Sequence, residues 1–321
     1  MKLDVIKHGR PYLLGSAALI LVGVIAMIIS WQKTGLPLHP AVDFTGGTRL
    51  TLELVCESKG NCGKPIDIVS VRQVMADKGY ANSTIQLVGQ DGRGVLVQTI
   101  KLETGQRAQL QKSLEDVIGK FGKPDPQKIQ IDEVGPAVGG QLLTSGLLAL
   151  GLSFLGIAVY LAFRFQLDYA FFAIVALLHD VLVTVGIFAI LGLTIGVEVD
   201  SLFIVAMLTI IGFSVNDTVV IYDRIRENLK IMGDTHSFDD LVNISVNQTL
   251  ARSINTTLTA LLSLVAIFLF GGATLKYFAL ALIIGFTSGA YSSIFNASIL
   301  LAWWRDRQTK STTKPPEIAE A

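Results

Sequence analysis

The chain has 321 residues, of which 51% are hydrophobic and 16% are charged, and its formal net charge is zero. Its mean hydropathy of +0.54 argues against a soluble domain, because stacked apolar runs of about 20 residues predict transmembrane helices. The neutral overall charge gives no indication of nucleic-acid binding.

The first apolar run covers 11–29 and follows Lys2, Lys7 and Arg10. A signal peptide has the same outline, but about 19 apolar residues are long for its apolar region, and no A-x-A cleavage motif follows. We therefore interpret the run as an uncleaved first membrane span, with Trp31 at the interface.

The apolar pattern predicts six spans, at about 11–31, 140–163, 169–193, 201–222, 255–271 and 277–304. The fifth is short and could begin earlier, near Thr249. The predicted organisation is an N-terminal tail with the first span (1–31), an inserted α+β domain (32–138), spans two to four (139–222), a charged loop (223–254), spans five and six (255–304) and a disordered polar tail (305–321).

Lysine and arginine positions orient the spans, because cytoplasmic loops carry an excess of these residues. One side of the membrane has only Lys276 in its short connections, and the segment 194–200 has none. The positive-inside rule therefore predicts cytoplasmic termini and an extracytoplasmic insert. The cationic residues on the predicted cytoplasmic side are Lys2, Lys7, Arg10, Arg164, Arg224, Arg226, Lys230, Arg305, Arg307, Lys310 and Lys314.

The insert has a readable order of elements. Alternation predicts strands at 48–55 and 127–134 and a hairpin formed by 83–89 and 94–102, whereas 66–79 and 103–122 have helical spacing. The resulting β-α-β-β-α-β order predicts a ferredoxin-like fold. Such a module is typically a binding or moving part, and the fold does not specify chemistry.

The two cysteines, Cys56 and Cys62, flank a short loop after the first predicted strand. We expect a disulfide between them if this face is oxidising, and two free thiols otherwise. Either state has a structural role. No cysteine and histidine spacing indicates a metal site.

Four ionisable residues interrupt the predicted spans: His179, Asp180, Asp217 and Arg252. Each charge at bilayer depth costs about 2.5–3.5 kcal/mol on insertion scales, so such residues normally face the bundle interior and find partners. Asp217 lies about 24 Å along the fourth span, in the inner third of a core of about 30 Å. Arg252 begins the fifth span from the same side, so the two residues are predicted to meet, with Asn216 adding an amide.

Burial raises the pKa of a carboxyl group, and a nearby guanidinium group lowers it. A buried carboxylate whose arginine moves between near and far positions would therefore bind and release a proton. The alternative for Asp217 and Arg252 is a static ion pair that holds two helices together. For His179 and Asp180 the alternatives are a static interhelical polar contact and a secondary proton relay, whereas a metal site from this pair alone is not expected.

Several motifs resemble the SecF branch of the SecD/SecF family of protein-export membrane proteins. In the insert, "VDFTGGT" (42–48) is similar to a family signature that comprises Asp43, Phe44, Gly46, Gly47 and Thr48. Within the membrane, "ALLHDV" (176–181), "IIGFSVNDTVVIYDRIREN" (210–228) and "NQTLARSINTTLTALL" (247–262) resemble SecF segments. The resemblance implies half of a transporter of the RND superfamily: a polytopic α-helical protein with six transmembrane helices and the insert after helix 1.

The resemblance also implies a function. Members of this family pair with SecD, assist the SecYEG channel and the SecA motor, with YajC as a further partner, and use the proton motive force to promote export of unfolded polypeptide. Asp217 and Arg252 match the charged pair of the family's proton transport. The expected location is the bacterial inner membrane, with a thylakoid membrane as the alternative. No cofactor is implied.

Two other functions remain open on the sequence. One is a small-molecule efflux subunit of the RND kind, which would act as a homo-oligomer because the chain has half the usual number of spans. The other is a scaffold in which the buried charges only fix assembly. The absence of a Walker loop and of a Ser/His/Asp arrangement argues against an enzyme.

Overall fold

The computed structural model describes residues 3–55, 64–81, 83–89 and 92–312, except for the side chains of 273–274 and 309–312. Cys56 and Cys62, and with them the predicted disulfide, lie outside the described residues. In chain order the elements are α1 (Gly9–Thr34), α2 (Val42–Thr45), β1 (Gly47–Glu53), α3 (Ile68–Asp77), β2 (Thr84–Val88), β3 (Gly94–Thr99), α4 (Thr104–Ile118), a 3-10 turn (Pro126–Lys128), β4 (Gln130–Val134), α5 (Pro136–Arg164), α6 (Leu167–Ile195), α7 (Ser201–Met232), α8 (Phe238–Phe270), α9 (Ala273–Tyr291), a π-helical segment (Ser292–Ala297) and α10 (Ser298–Thr312).

Six helical segments of the described chain are long and apolar enough to cross a membrane, as the sequence predicts. They are α1, α5, α6, α7, α8 and a composite sixth span of α9, the π-helical segment and α10, which covers Leu275–Gln308. The third, fourth and sixth spans are about half buried, whereas α1, α5 and α8 expose most of their surface. The bundle therefore has a core of α6, α7 and the sixth span.

The predicted loop 223–254 is mostly helical, and only 233–237 separates α7 from α8. The amphipathic stretch after Ile221 extends α7 to Met232. The hydroxyl group of Ser237 then accepts a hydrogen bond from the Asp240 N–H at 3.2 Å and caps α8. The fifth span therefore begins well before Thr249, at Phe238.

The tail predicted to be disordered from 305 continues as α10 to Thr312, and residues 313–321 lie outside the described chain. An ion pair of 2.8 Å joins Arg305 to Asp168 at the start of α6. The Arg305 guanidinium group also donates to the Gln166 side chain at 2.6 Å. These contacts hold the beginning of the tail against the bundle.

The insert forms one four-stranded antiparallel sheet in the order β2-β3-β1-β4. Its core consists of alternate strand residues such as Leu50 and Leu52, which pair with Val97 and Val95, packed against one face of α3 and α4. The predicted order of strands and helices is therefore present, whereas the classification as ferredoxin-like stays a prediction. The sequence does not predict α2, the single turn that connects the first span to the sheet.

Candidate functional site

Asp217 lies on α7 and faces the interior of the bundle, with a side chain that is only 6% exposed. Its Oδ1 atom accepts a hydrogen bond from the hydroxyl group of Ser253, on α8, at 2.9 Å. Its Oδ2 atom is buried and has no hydrogen-bond partner among the described residues. An unsatisfied buried acceptor is energetically costly, so this oxygen is the unusual feature of the contact.

Arg252 precedes Ser253 on α8, but its side chain lies on the exposed side of that helix. The two neighbours point about 100° apart, so only Ser253 contacts Asp217. Within the described residues no ion pair shorter than 4.0 Å joins Arg252 to Asp217. Asn216 is exposed on α7 and does not contribute to this contact.

A second buried carboxylate lies on α6. Asp180 is fully buried and accepts hydrogen bonds from residues on three other segments of the bundle core. Its donors are the hydroxyl groups of Ser214 (2.6 Å), Ser288 (2.7 Å) and Ser292 (2.7 Å), and Nδ1 of His179 lies 2.9 Å from Oδ1. These four contacts occupy the acceptor positions of a carboxylate, so Asp180 is well satisfied where it lies.

His179 is buried next to Asp180 and stacks on Tyr291, with 6.2 Å between ring centroids. Of its two ring nitrogens, Nδ1 is the one that contacts Asp180. Its Nε2 atom has no partner among the described residues. His179 also lines an apolar groove of about 410 Å³ between α1, α6 and α9.

Hydroxyl groups continue the polar centre of the bundle beyond Asp180. Thr218 on α7 lies 2.7 Å from Ser293, which belongs to the π-helical segment of the sixth span. Thr218 directly follows Asp217 along α7, and Ser293 directly follows Ser292, which donates a hydrogen bond to Asp180. π-Helical turns are frequent at functional sites, and this one presents two adjacent serines to the core.

The signature motif in the insert forms the joint between the sheet and the bundle. The Asp43 carboxylate accepts from both the N–H (3.0 Å) and the hydroxyl group (2.6 Å) of Ser201, the first residue of α7. Gly46 has φ +73°, and a Cβ atom there would lie 2.7 Å from Cα of Pro136, so only glycine fits this close approach. Thr48 accepts from the Leu102 N–H at 3.0 Å, and Phe44 packs in the bundle core.

The serine donors of both carboxyl sites were not predicted from the sequence. Ser253 and Thr257, and likewise Ser288 and Ser292, are spaced four apart within the fifth and sixth spans. That spacing places each pair on one helix face and is a usable signal for an internal polar site. Among the described residues, no group of three or more histidine, cysteine, aspartate or glutamate residues could hold a metal ion.

Comparison with known proteins gives the family. A sequence model described as "Protein export membrane protein SecD/SecF, C-terminal" matches residues 113–307. The protein translocase subunit SecF of Synechocystis sp. is 55% identical over 316 residues, which cover 98% of each chain. SecF of Thermobaculum terrenum is 40% identical, with 95% of each chain covered.

Two solved structures resemble the fold. The crystal structure of SecDF from Thermus thermophilus, described as a translocon-associated membrane protein, matches with a TM-score of 0.75 and 32% identity over 94% of this chain. SecDF in a super-membrane-facing form matches with a TM-score of 0.60 and 29% identity over 97% of this chain. The chain spans 38% and 40% of those two longer chains, respectively. The chain is therefore a multi-pass membrane protein that belongs to the SecD/SecF family of protein-export membrane proteins and matches SecF members over almost its whole length.

Proposed function

We propose that this chain is an accessory subunit of the Sec translocation machinery that uses the proton motive force, together with SecD, to promote protein export. It performs no covalent chemistry itself. The SecYEG channel, the SecA motor and YajC are further proposed partners, and the substrate is unfolded polypeptide. The membrane is the bacterial inner membrane, or alternatively a thylakoid membrane, with both termini on the cytoplasmic side.

The observation that carries the proposal is the arrangement around Asp217. One oxygen of this buried carboxyl group has a hydroxyl donor, and the other has no partner among the described residues. The Arg252 side chain is exposed, and within the described parts of the chain its guanidinium group forms no ion pair. A proton carrier needs such an arrangement in the state in which Arg252 is away from Asp217, because the Asp217 carboxyl group can then take up a proton.

Movement of Arg252 toward Asp217 would complete the cycle. The guanidinium group favours the ionised carboxylate, so its approach promotes proton release. Because Ser253 and Arg252 are adjacent on α8, a rotation of α8 or a swing of the arginine side chain exchanges one contact for the other. Each proton that crosses the membrane supplies about 2.3 kcal/mol per 100 mV of potential.

One exposed face of the bundle, at membrane depth, favours the presence of a partner subunit. Small and polar side chains that suit helix packing better than lipid form an exposed stripe on α7 and α8. An arginine exposed to lipid is costly, so this face requires a cover. We propose that SecD, the other six-helix half, covers it. The stripe consists of Thr209, Gly212, Asn216, Arg252, Asn255, Thr256 and Thr259.

The test is the Asp217→Asn variant in vesicles loaded with a proton gradient. We expect it to lose the stimulation of export while the protein stays folded and keeps its partners. Asp234→Asn, which changes an exposed carboxyl group in the turn between α7 and α8, is the matched control and should retain stimulation. Full stimulation by Asp217→Asn would refute the relay.

The scaffold alternative also has a supporting contact, since the Ser253–Asp217 hydrogen bond joins α7 to α8. In a scaffold Asp217→Asn should disrupt the complex itself, which copurification measures. A second six-span protein in the purified complex favours export, whereas a homotrimer would favour small-molecule efflux.

A further inference from the structure

The loop between α6 and α7, residues 196–200, contacts the inserted domain in several places. The backbone of Val199 exchanges two hydrogen bonds with the linker before α2, to Ala41 N and His39 O, both at 2.8 Å. Two glutamine side chains of the sheet also form hydrogen bonds with this loop. Gln86 donates to the Gly196 carbonyl group, and Gln98 donates to the Glu198 carboxyl group. This loop is therefore where the sheet docks on the bundle.

Glu198 lies at the centre of this docking contact. Its side chain lines a cavity of about 620 Å³ between the linker, the sheet and the loop. Apart from Glu198, the residues that line the cavity lie in the segment 34–100, so the cavity is on the inserted domain's side of the bundle. The other titratable and charged groups that face this contact are His39, Asp43, Arg49, Tyr80 and Asp200.

Charge at this contact is unbalanced. Arg49 is the cation that faces Glu198, and its guanidinium group lies 3.9 Å from Asp43. Asp43 and Asp200 add two further carboxyl groups. Burial against the sheet raises the pKa of Glu198 to about 7, with Arg49 and Gln98 opposing the shift. An ionised Glu198 is therefore disfavoured in the docked arrangement.

We propose that Glu198 is a proton-binding latch that holds the inserted domain on the bundle when it is protonated and releases it when it ionises. The inference goes beyond the relay at Asp217, because it concerns a different carboxyl group outside the spans. The latch lies next to Asp43 and Ser201, which fix the start of α7. Docking of the domain would thereby respond to the pH of its own side of the membrane.

The direction of the pH dependence of docking follows from the linkage between proton binding at Glu198 and docking of the domain. When the inserted domain is undocked, Glu198 on the α6–α7 loop is exposed and titrates with its ordinary pKa of 4.5, whereas in the docked state its pKa is about 7. The docked state therefore binds the proton more tightly, and docking is strongest below the ordinary value. It weakens as pH rises toward 7 and reaches its minimum above that value, with a total change on the order of a hundredfold in the docking equilibrium.

The test measures docking directly in the full-length chain in lipid nanodiscs. Cys56→Ser and Cys62→Ser remove the two native cysteines, and spin labels are attached at Lys101→Cys in the insert and Leu275→Cys at the start of the sixth span. Both native side chains are exposed. The distance distribution between the labels is recorded by pulsed electron paramagnetic resonance from pH 4.5 to pH 8.

We expect the docked fraction to fall as pH rises across this range. The Glu198→Gln variant should keep the docked distance at every pH, because its amide cannot ionise. Asp116→Asn, an exposed carboxyl change on α4, should titrate like the parent protein. A pH-independent distribution in the parent protein, or a Glu198→Gln variant that titrates like it, would overturn the latch.

A background variant separates the latch from the relay. With Asp217→Asn, docking should titrate unchanged, since the measurement does not depend on export. If the docked fraction no longer depended on pH in the Asp217→Asn background, the proposal for Glu198 would be overturned. The pH dependence would then be attributed to the carboxyl group of Asp217. A failed export test for Asp217 would leave the latch measurement interpretable.

Discussion

Asp43 caps the N-terminus of α7 from outside that helix, with two hydrogen bonds to Ser201 at 3.0 Å and 2.6 Å. The acidic side chain comes from the signature motif of the insert, and α7 is the helix that carries Asp217 about 24 Å further along. The inserted domain therefore contacts the same helix that carries the intramembrane carboxyl group.

Removal of this cap should weaken the joint. Asp43→Ala removes the carboxylate that accepts hydrogen bonds from Ser201 at the start of α7. It also removes the carboxylate that lies 3.9 Å from the Arg49 guanidinium group. We expect a loss of about 1 kcal/mol in stability. Export stimulation should fall as well, because the domain no longer moves with α7. Thermal unfolding and vesicle export measure the two effects, and Asp116→Ala on the surface of α4 is the control that should change neither.

The hydroxyl group that binds Asp217 should matter for activity. Ser253→Ala removes the donor at 2.9 Å and leaves both carboxyl oxygens without a partner, at a cost of about 1–3 kcal/mol to the buried carboxylate. We expect export stimulation by a proton gradient to fall several-fold. Ser145→Ala, which changes an exposed serine on α5 outside the proposed SecD-facing stripe, serves as the control. Equal activity of the two variants would argue against a role for this contact.

The two buried carboxyl groups should respond differently to the same change. Asp180→Asn disturbs four contacts from His179 and three serines, so we expect the bundle to lose about 1–3 kcal/mol of stability. Asp217→Asn disturbs one contact and should unfold at nearly the parent temperature. Thermal unfolding in detergent makes the comparison, and a larger loss for Asp217→Asn would contradict it.

Close helix packing should depend on a particular glycine pair. A Cβ atom on Gly186 would lie 2.7 Å from Cα of Gly23, so α1 and α6 touch through their backbones here. We expect Gly186→Val to separate the helices and to cost about 1–3 kcal/mol. Gly151→Val on α5 is the matched control, because a Cβ atom there meets nothing within 4 Å. Unfolding measurements on both variants check the difference.

The elements of the fold were largely predictable from local pattern. The six spans follow from apolar runs, and the sheet follows from alternation, as the register of Leu50 with Val97 shows. The loop 223–254 was predicted less well, because charged residues such as Arg224 and Glu227 are compatible with both a loop and a helix that leaves the membrane. Caps at Gly233 and Ser237 decided its boundaries.

The sequence by itself determined that buried charges lie in the spans, because a polar residue in an apolar run is visible without any structure. It could not determine their partners. Asp217 contacts Ser253 rather than Arg252, and Asp180 accepts hydrogen bonds from serines of the fourth and sixth spans. The rotation of each helix about its axis decides which of two adjacent residues faces inward. Only the tertiary structure sets those rotations, through packing between helices that are distant in sequence.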